Sequence, residues 1–218
     1  MRKYTHILFD LDGTLIYSHP GIYNCFYYTL EKMGLPAPTQ EQLAKCIGPS
    51  LAYAFKNFFG MSEEQSARAV EIYRVQYGKT GVFENDPIEH AEEVLSALAK
   101  EGYILAMATS KPKQYADMIA ERFGFSKHFT VQAGCGMDGS FPTKASVIAE
   151  AVKQLGVHPS KCLMVGDRYH DSEGAKENGM DCALLKIGYA ENEQELKNAG
   201  AEYVFEDLET LCDFLLKQ

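Results

Sequence analysis

A short apolar run, His6-Ile7-Leu8-Phe9, breaks directly into Asp10-Leu11-Asp12-Gly13-Thr14, and no second strand-like run follows for a long stretch. This feature constrains the fold more than any other. An apolar strand of this kind needs cover on both faces, and its sheet partners must come from beyond whatever intervenes. From about Pro20 to Gly78 the intervening chain reads as helix alone. Ile22, Phe26, Leu30 and Met33 recur at helical spacing and stop at Gly34 and Pro36. Leu43 and Ile47 fit a short helix closing at Gly48-Pro49, and Leu51, Ala54, Phe55 and Phe58 continue to Gly60. Ser62 with Gln65 has the spacing of a capping box, which opens a helix running to about Gly78.

After Pro87 the pattern changes to strands alternating with helices. The strands are read at Tyr103–Ala108, Phe129–Gln132, Cys162–Val165, Cys182–Leu185 and Tyr203–Phe205. A helix carrying Val94, Leu95 and Leu98 and stopping at Gly102 precedes them, and the helices between and after them are read at Lys113–Phe123, Thr143–Leu155, Asp171–Asn178 and Leu208–Leu216. Short apolar strands alternating with helices predict an α/β fold, a doubly wound parallel Rossmann-like sheet. The all-helical stretch is then a domain inserted between the first and second strands. The expected boundaries are 1–16 with 82–218 for the core and 17–81 for the insertion.

Charge excludes some partners. With 21 basic against 30 acidic residues the net charge is −9, and the pI is about 5.2. Such a surface argues against nucleic acid and against anionic membrane as general partners. No apolar run reaches transmembrane length, and Asp10 ends the first one too early for a signal peptide. The six cysteines are scattered, with no Cys-x-x-Cys pair. They read as reduced core residues of a cytoplasmic protein rather than as a disulfide or zinc framework.

Three polar clusters lie at the C-terminal ends of expected strands: Asp10-x-Asp12, Thr109-Ser110, and Asp167 with Asp171. Ligands of open α/β sheets bind there, so the clusters converge if their strands are neighbours. Of Asp10 and Asp12, one carboxylate could attack or bind metal while the other handles protons, with Gly13 permitting a turn. Clustered carboxylates need a cation, and an all-oxygen donor set suits Mg²⁺. Thr109 offers a hydroxyl, and Ser110 a backbone N–H expected near a helix start, where an anion sits well. Lys144 could neutralise a phosphoryl group. Asp171 reads either as a ligand or as the N-cap of its helix. Arg168 reads as the structural partner of a carboxylate, and His170 as a packing residue close to the site.

In this order the motifs resemble those of the haloacid dehalogenase superfamily of phosphotransferases. Asp10-Leu11-Asp12-Gly13-Thr14 is similar to its first motif, Thr109-Ser110-Lys111 to its second, Lys144 to its third and Gly166-Asp167-Arg168-x-x-Asp171 to its fourth. The inserted helices resemble that family's helical cap. Cys46-Ile47-Gly48-Pro49-Ser50-Leu51 and Thr109-Ser110-Lys111-Pro112 are most similar to the phosphoglycolate phosphatase branch. The resemblance implies a covalent mechanism. Asp10 would be the nucleophile and Asp12 the general acid/base. Thr109, Ser110 and Lys144 would bind the phosphoryl group. Mg²⁺ would be held by Asp10, the Asp12 backbone carbonyl, Asp167 and Asp171. A small phosphorylated metabolite is the expected partner, with phosphoglycolate as the first expectation. A 5′-nucleotide or pyrophosphate is the alternative substrate, and a non-enzymatic phospho-aspartate switch is the alternative class. Pro49-Ser50 stands where a sugar phosphomutase of the superfamily has an arginine, which argues against mutase activity. A monomer or weak homodimer is expected. The loop Ile47–Ser50, with Lys56, is the expected specificity element.

Overall fold

The computed structural model describes residues 3–190 and 192–218. The chain divides into two compact units. One is Ser18–Asp86; the other is Pro87–Gln218 with the segment ending at Tyr17.

The larger unit is built on a six-stranded sheet. Its strands are β1 (His6–Phe9), β2 (Ile104–Pro112), β3 (Phe129–Cys135), β4 (Cys162–Gly166), β5 (Asp181–Leu185) and β6 (Tyr203–Phe205). They lie in the order β3-β2-β1-β4-β5-β6. Every ladder between neighbours is parallel. The order reverses at β1, which is the switch point at which such sheets form their ligand crevice. β1 and β4 are buried along their whole length, as strands covered on both faces must be. Leu8, Ala106, Met164 and Leu184 belong to one core cluster with Val147, Ile148 and Ala151 of the helix Lys144–Leu155. The fold class read from the pattern is the fold observed.

Three local differences from the expected boundaries have physical causes. β2 runs to Pro112 rather than stopping at Ala108. Lys111 precedes a proline, which disfavours helical backbone and keeps the chain extended. The helix expected at Asp171 starts at Tyr169, because Asp171 caps it from inside the first turn. A short helix at Glu193–Asn198, capped by Asn192, had no legible apolar stripe beyond Leu196.

The smaller unit carries the helices His19–Lys32, Gln40–Ala44, Leu51–Phe59 and Glu63–Lys79. Its core is aromatic: the ring of Phe26 lies 5.0 Å from that of Phe55 and 5.1 Å from that of Tyr73. The Ser62–Gln65 capping box forms as the spacing predicts. Ser50 caps the helix Leu51–Phe59 by accepting from the Tyr53 N–H, and Lys56 pairs with Glu63. The chain segments Ile16–Tyr17 and Asp86–Pro87 form a separate two-stranded ribbon.

Candidate active site

Register brings the polar clusters together. Phe9 stands opposite Met107 of β2 on one side and Val165 of β4 on the other. The three strands are therefore level where β1 ends, and the residues that follow this point are Asp10, Ala108-Thr109 and Gly166-Asp167. The Asp10 N–H donates to the Val165 carbonyl at 2.9 Å. The chain then turns sharply. Leu15 and Ile16 donate to the Leu11 carbonyl at 2.9 and 3.1 Å, and Gly13 donates to Ile16 at 2.8 Å. Gly13 adopts φ +81°, and a Cβ there would fall 2.3 Å from Asp167 Oδ2. Only glycine meets both demands.

Asp10, Asp167 and Asp171 are buried, and one oxygen of each lies within 4.8 Å of the others. Lys144 bridges two of them: its Nζ is 2.7 Å from Asp10 Oδ1 and 2.9 Å from Asp171 Oδ1. It also reaches the Ala108 carbonyl at 3.4 Å. Asp167 Oδ2 accepts the Tyr189 N–H, whereas Asp167 Oδ1 is buried with no hydrogen-bond partner among the described residues. One lysine thus faces three buried carboxylates, a deficit of positive charge. Burial pushes the Asp10 carboxyl up to about 6 against the pull of Lys144. Burial, reinforced by Asp171 and Asp10, raises Asp167 well above the usual carboxylate range. Burial opposes the charge on Lys144, but Asp10 and Asp171 outweigh it and raise its pKa. The orphaned oxygen and the all-oxygen donor set fit a hard divalent cation.

Asp12 lies apart from this cluster. Its two carboxylate oxygens accept from Lys111 Nζ at 2.8 and 3.1 Å. An irregularity in β2 delivers that lysine. Thr109 pairs with Gly134 and Pro112 with Cys135, so Ser110 and Lys111 have no opposite residues. Bulges of this kind re-aim side chains beside active sites. Thr109 is buried, and its Oγ1 accepts the Lys111 N–H at 3.2 Å.

Several sequence readings are corrected or extended here. Ser110 is exposed on the β2 extension, and the helix Lys113–Arg122 begins three residues later, after Pro112, at the start the sequence pattern expects. Asp171 is not the N-cap. It sits in the first turn, where its Oδ2 accepts from the N–H groups of Asp167 and Arg168 at 3.2 and 3.1 Å. Capping and cluster membership use different oxygens of the same carboxylate. Arg168 pairs with Glu195 at 2.6 Å, as its structural reading expects. Sequence reasoning missed the role of Lys111, although it stands within the quoted motif. It also missed Gly188-Tyr189, whose only signal was a glycine just beyond β5. A Cβ at Gly188 would lie 2.2 Å from Asp167 Cβ. Ile47–Ser50 belongs to the helical unit, with Gly48 at φ +105°. No helix among the described residues is long and apolar enough to cross a membrane.

Comparison with known proteins adds to this geometry. A family model described as haloacid dehalogenase-like hydrolase matches residues 7–185. A 5′-nucleotidase of Pseudomonas aeruginosa is 36% identical over 213 residues, 98% of this chain and 96% of the relative. A phosphoglycolate phosphatase of Aquifex aeolicus is 29% identical over 183 residues, 84% of this chain and 85% of the relative. The crystal structure of a predicted phosphatase from Clostridium acetobutylicum superimposes with a TM-score of 0.92 at 34% identity, covering 99% of each chain.

Proposed function

This chain belongs to the haloacid dehalogenase-like hydrolases and is a phosphatase, and we propose that it hydrolyses a small phosphate monoester through an aspartyl-phosphate on Asp10. The observation that carries this reading is the separation of the two aspartates of the first loop. Asp10 lies in the buried cluster with Lys144, and Asp12 lies outside it on Lys111. Two carboxylates in different surroundings can take different roles.

In the first half-reaction a carboxylate oxygen of Asp10 forms a bond to phosphorus as the ester P–O bond breaks. Asp12 gives its proton to the departing alkoxide. In the second half, Asp12 takes a proton from water, the water oxygen bonds to phosphorus, and the bond to Asp10 breaks. Lys111 fixes the position of the Asp12 carboxylate. Lys144 offsets charge on Asp10 and on the phosphoryl oxygens. The Thr109 hydroxyl accepts from the Lys111 N–H, so its own proton can serve a phosphoryl oxygen, with the Ser110 N–H as a second donor. Asp10, Asp167 and Asp171, with the Asp12 backbone carbonyl, would hold Mg²⁺. When bound, that ion neutralises the clustered carboxylates and the phosphoryl charge.

The core side chains named here address only the phosphoryl group. We therefore assign the choice of leaving group to the helical unit, acting as a cap, with the loop Ile47–Ser50 as its specificity element. Phosphoglycolate is one proposed substrate. The 36% identity to a 5′-nucleotidase across nearly the whole of both chains favours nucleoside 5′-monophosphates as the second. The test is phosphate release across a panel holding both classes, pyrophosphate and p-nitrophenyl phosphate, with Mg²⁺ or EDTA, alongside acid-quench trapping of phosphoenzyme. Hydrolysis without a trappable, Asp10-dependent phosphoenzyme would overturn the covalent route. Phosphorylation without turnover would point to a switch instead.

A further inference from the structure

The helix Tyr169–Glu177 turns one stripe of residues to the start of the helix Lys144–Leu155. Asp171, Gly174 and Asn178 stand at i, i+3 and i+7, a spacing that puts them on one helix face. Each meets a different part of the turn that begins with Lys144. Asp171 Oδ1 meets the tip of the lysine, 2.9 Å from Nζ. Gly174 lies against its stem: a Cβ there would fall 2.9 Å from Lys144 Cγ and 3.0 Å from the Ala145 nitrogen. Asn178, the C-cap residue, reaches the backbone. Its Nδ2 donates to the Ala145 carbonyl at 3.0 Å and to the Gly174 carbonyl at 2.8 Å. Both partners are acceptors, which fixes the orientation of the carboxamide.

Lys144 is the first residue of its helix, so its side chain starts from wherever that helix end is held. A lysine stem is flexible and presents a point charge, so its position has to come from its surroundings. Here the path of the stem is open only because residue 174 has no side chain. The bond from Asn178 to Ala145 ties the lysine-bearing turn to the helix that carries Asp171. The ammonium at the far end is then 2.7 Å from Asp10 Oδ1. We propose that Asn178 is a positioning residue for Lys144: its bond to the Ala145 carbonyl holds the ammonium where it serves both Asp10 and the bound phosphoryl group, with Gly174 leaving room for the stem. This rests on the assignment of Lys144 as the phosphoryl charge partner.

The test reads anion binding on the purified full chain. Binding of orthovanadate, a phosphoryl analogue, is followed by calorimetry in saturating Mg²⁺. Loss of folded protein lowers the number of sites but leaves the dissociation constant unmoved. Asn178→Ala should weaken binding by about tenfold, within the loss of about 10²-fold that a misplacement of about 1 Å can cost. Asn178→Ser should weaken it as much, because a serine hydroxyl can bond the Gly174 carbonyl four residues back but falls short of Ala145. Gly174→Ala should act in the same direction through the lysine stem. Mg²⁺ binding without the anion should stay within about twofold of the wild type in all three variants, since Lys144 competes with the cation for Asp10 and Asp171. A role confined to closing the helix end predicts instead that Ser restores the wild-type constant. That result overturns the proposal, as does an unchanged constant in Asn178→Ala or a parallel loss of Mg²⁺ affinity. If Asn178→Ala does not fold, Asn178→Ser and Gly174→Ala decide in the same way. Lys144→Met separates this from the underlying reading. If it binds orthovanadate as the wild type does, Lys144 is not the phosphoryl partner and that assignment fails. If it binds weakly while the Asn178 variants bind as the wild type does, only the positioning role fails.

Discussion

Lys144 faces more buried negative charge than it can balance, and its removal offers a quantitative check on the site. Its Nζ lies 2.7 Å from Asp10 and 2.9 Å from Asp171. At an effective dielectric constant of about 20, each contact carries about 6 kcal/mol of Coulomb attraction. Desolvation of the buried ions offsets much of this. Removing one partner of a buried pair costs about 3–5 kcal/mol, because the remaining charges are left uncompensated. Lys144→Met keeps most of the volume and removes the charge. Against a total stability of about 5–15 kcal/mol for a domain, the loss is easily read by urea unfolding in EDTA. The loss should also depend on pH. The folded Asp10 carboxyl is pushed up to about 6, and Asp167 is raised as well. Carboxyls raised above their unfolded values bind protons on folding. Their penalty is absent below about pH 4, grows as pH rises toward the folded value, and is full above it. Without Lys144 that upper limit moves higher still. The deficit should therefore shrink as pH falls from about 7.5 to 5, and Mg²⁺ should restore part of it at neutral pH. A loss no larger than that of a surface pair, about 1 kcal/mol or less, would refute the reasoning. So would a deficit of equal size at both pH values.

Three further outcomes are expected. Turnover should require Mg²⁺ and stop in EDTA, and Ca²⁺ should inhibit because its larger and looser shell misplaces the carboxylates; full steady-state activity in EDTA would remove the cation from the reaction. Asp12→Asn should lower turnover of an alkyl phosphate by about 10²–10⁴-fold and that of p-nitrophenyl phosphate less in the first step, which stopped-flow burst measurements compare; equal losses on both would exclude proton delivery by Asp12. Gly188→Ala should weaken cation binding without unfolding the sheet, because its Cβ would fall 2.2 Å from Asp167 Oδ2 and displace that carboxylate; calorimetry paired with circular dichroism checks it, and unchanged affinity would show that Asp167 is free to shift.

The sequence by itself determined the kinds of elements, their order and the chemistry at their ends. An apolar strand running into Asp10-x-Asp12-Gly13, strands regularly alternating with helices after Pro87, and a purely helical stretch between them leave little choice but an α/β sheet with a helical insertion. These are local patterns, set by side-chain periodicity and by glycine and proline. The cap at Ser62 was legible for the same reason, since a cap and its partner lie within one turn. Contacts between residues distant in sequence were decided only by the tertiary structure. Phe9 level with Met107 and Val165 is a matter of register, and it alone brings Asp10, Thr109 and Asp167 to one place. The division of Asp10 to Lys144 and Asp12 to Lys111 depends on a bulge in β2 and on the start of the helix Lys144–Leu155 meeting the end of β1. Tyr189 meets Asp167, and Glu195 meets Arg168, across long loops of chain. Periodicity carries no record of such pairs, because it reports only on residues within a few positions of one another.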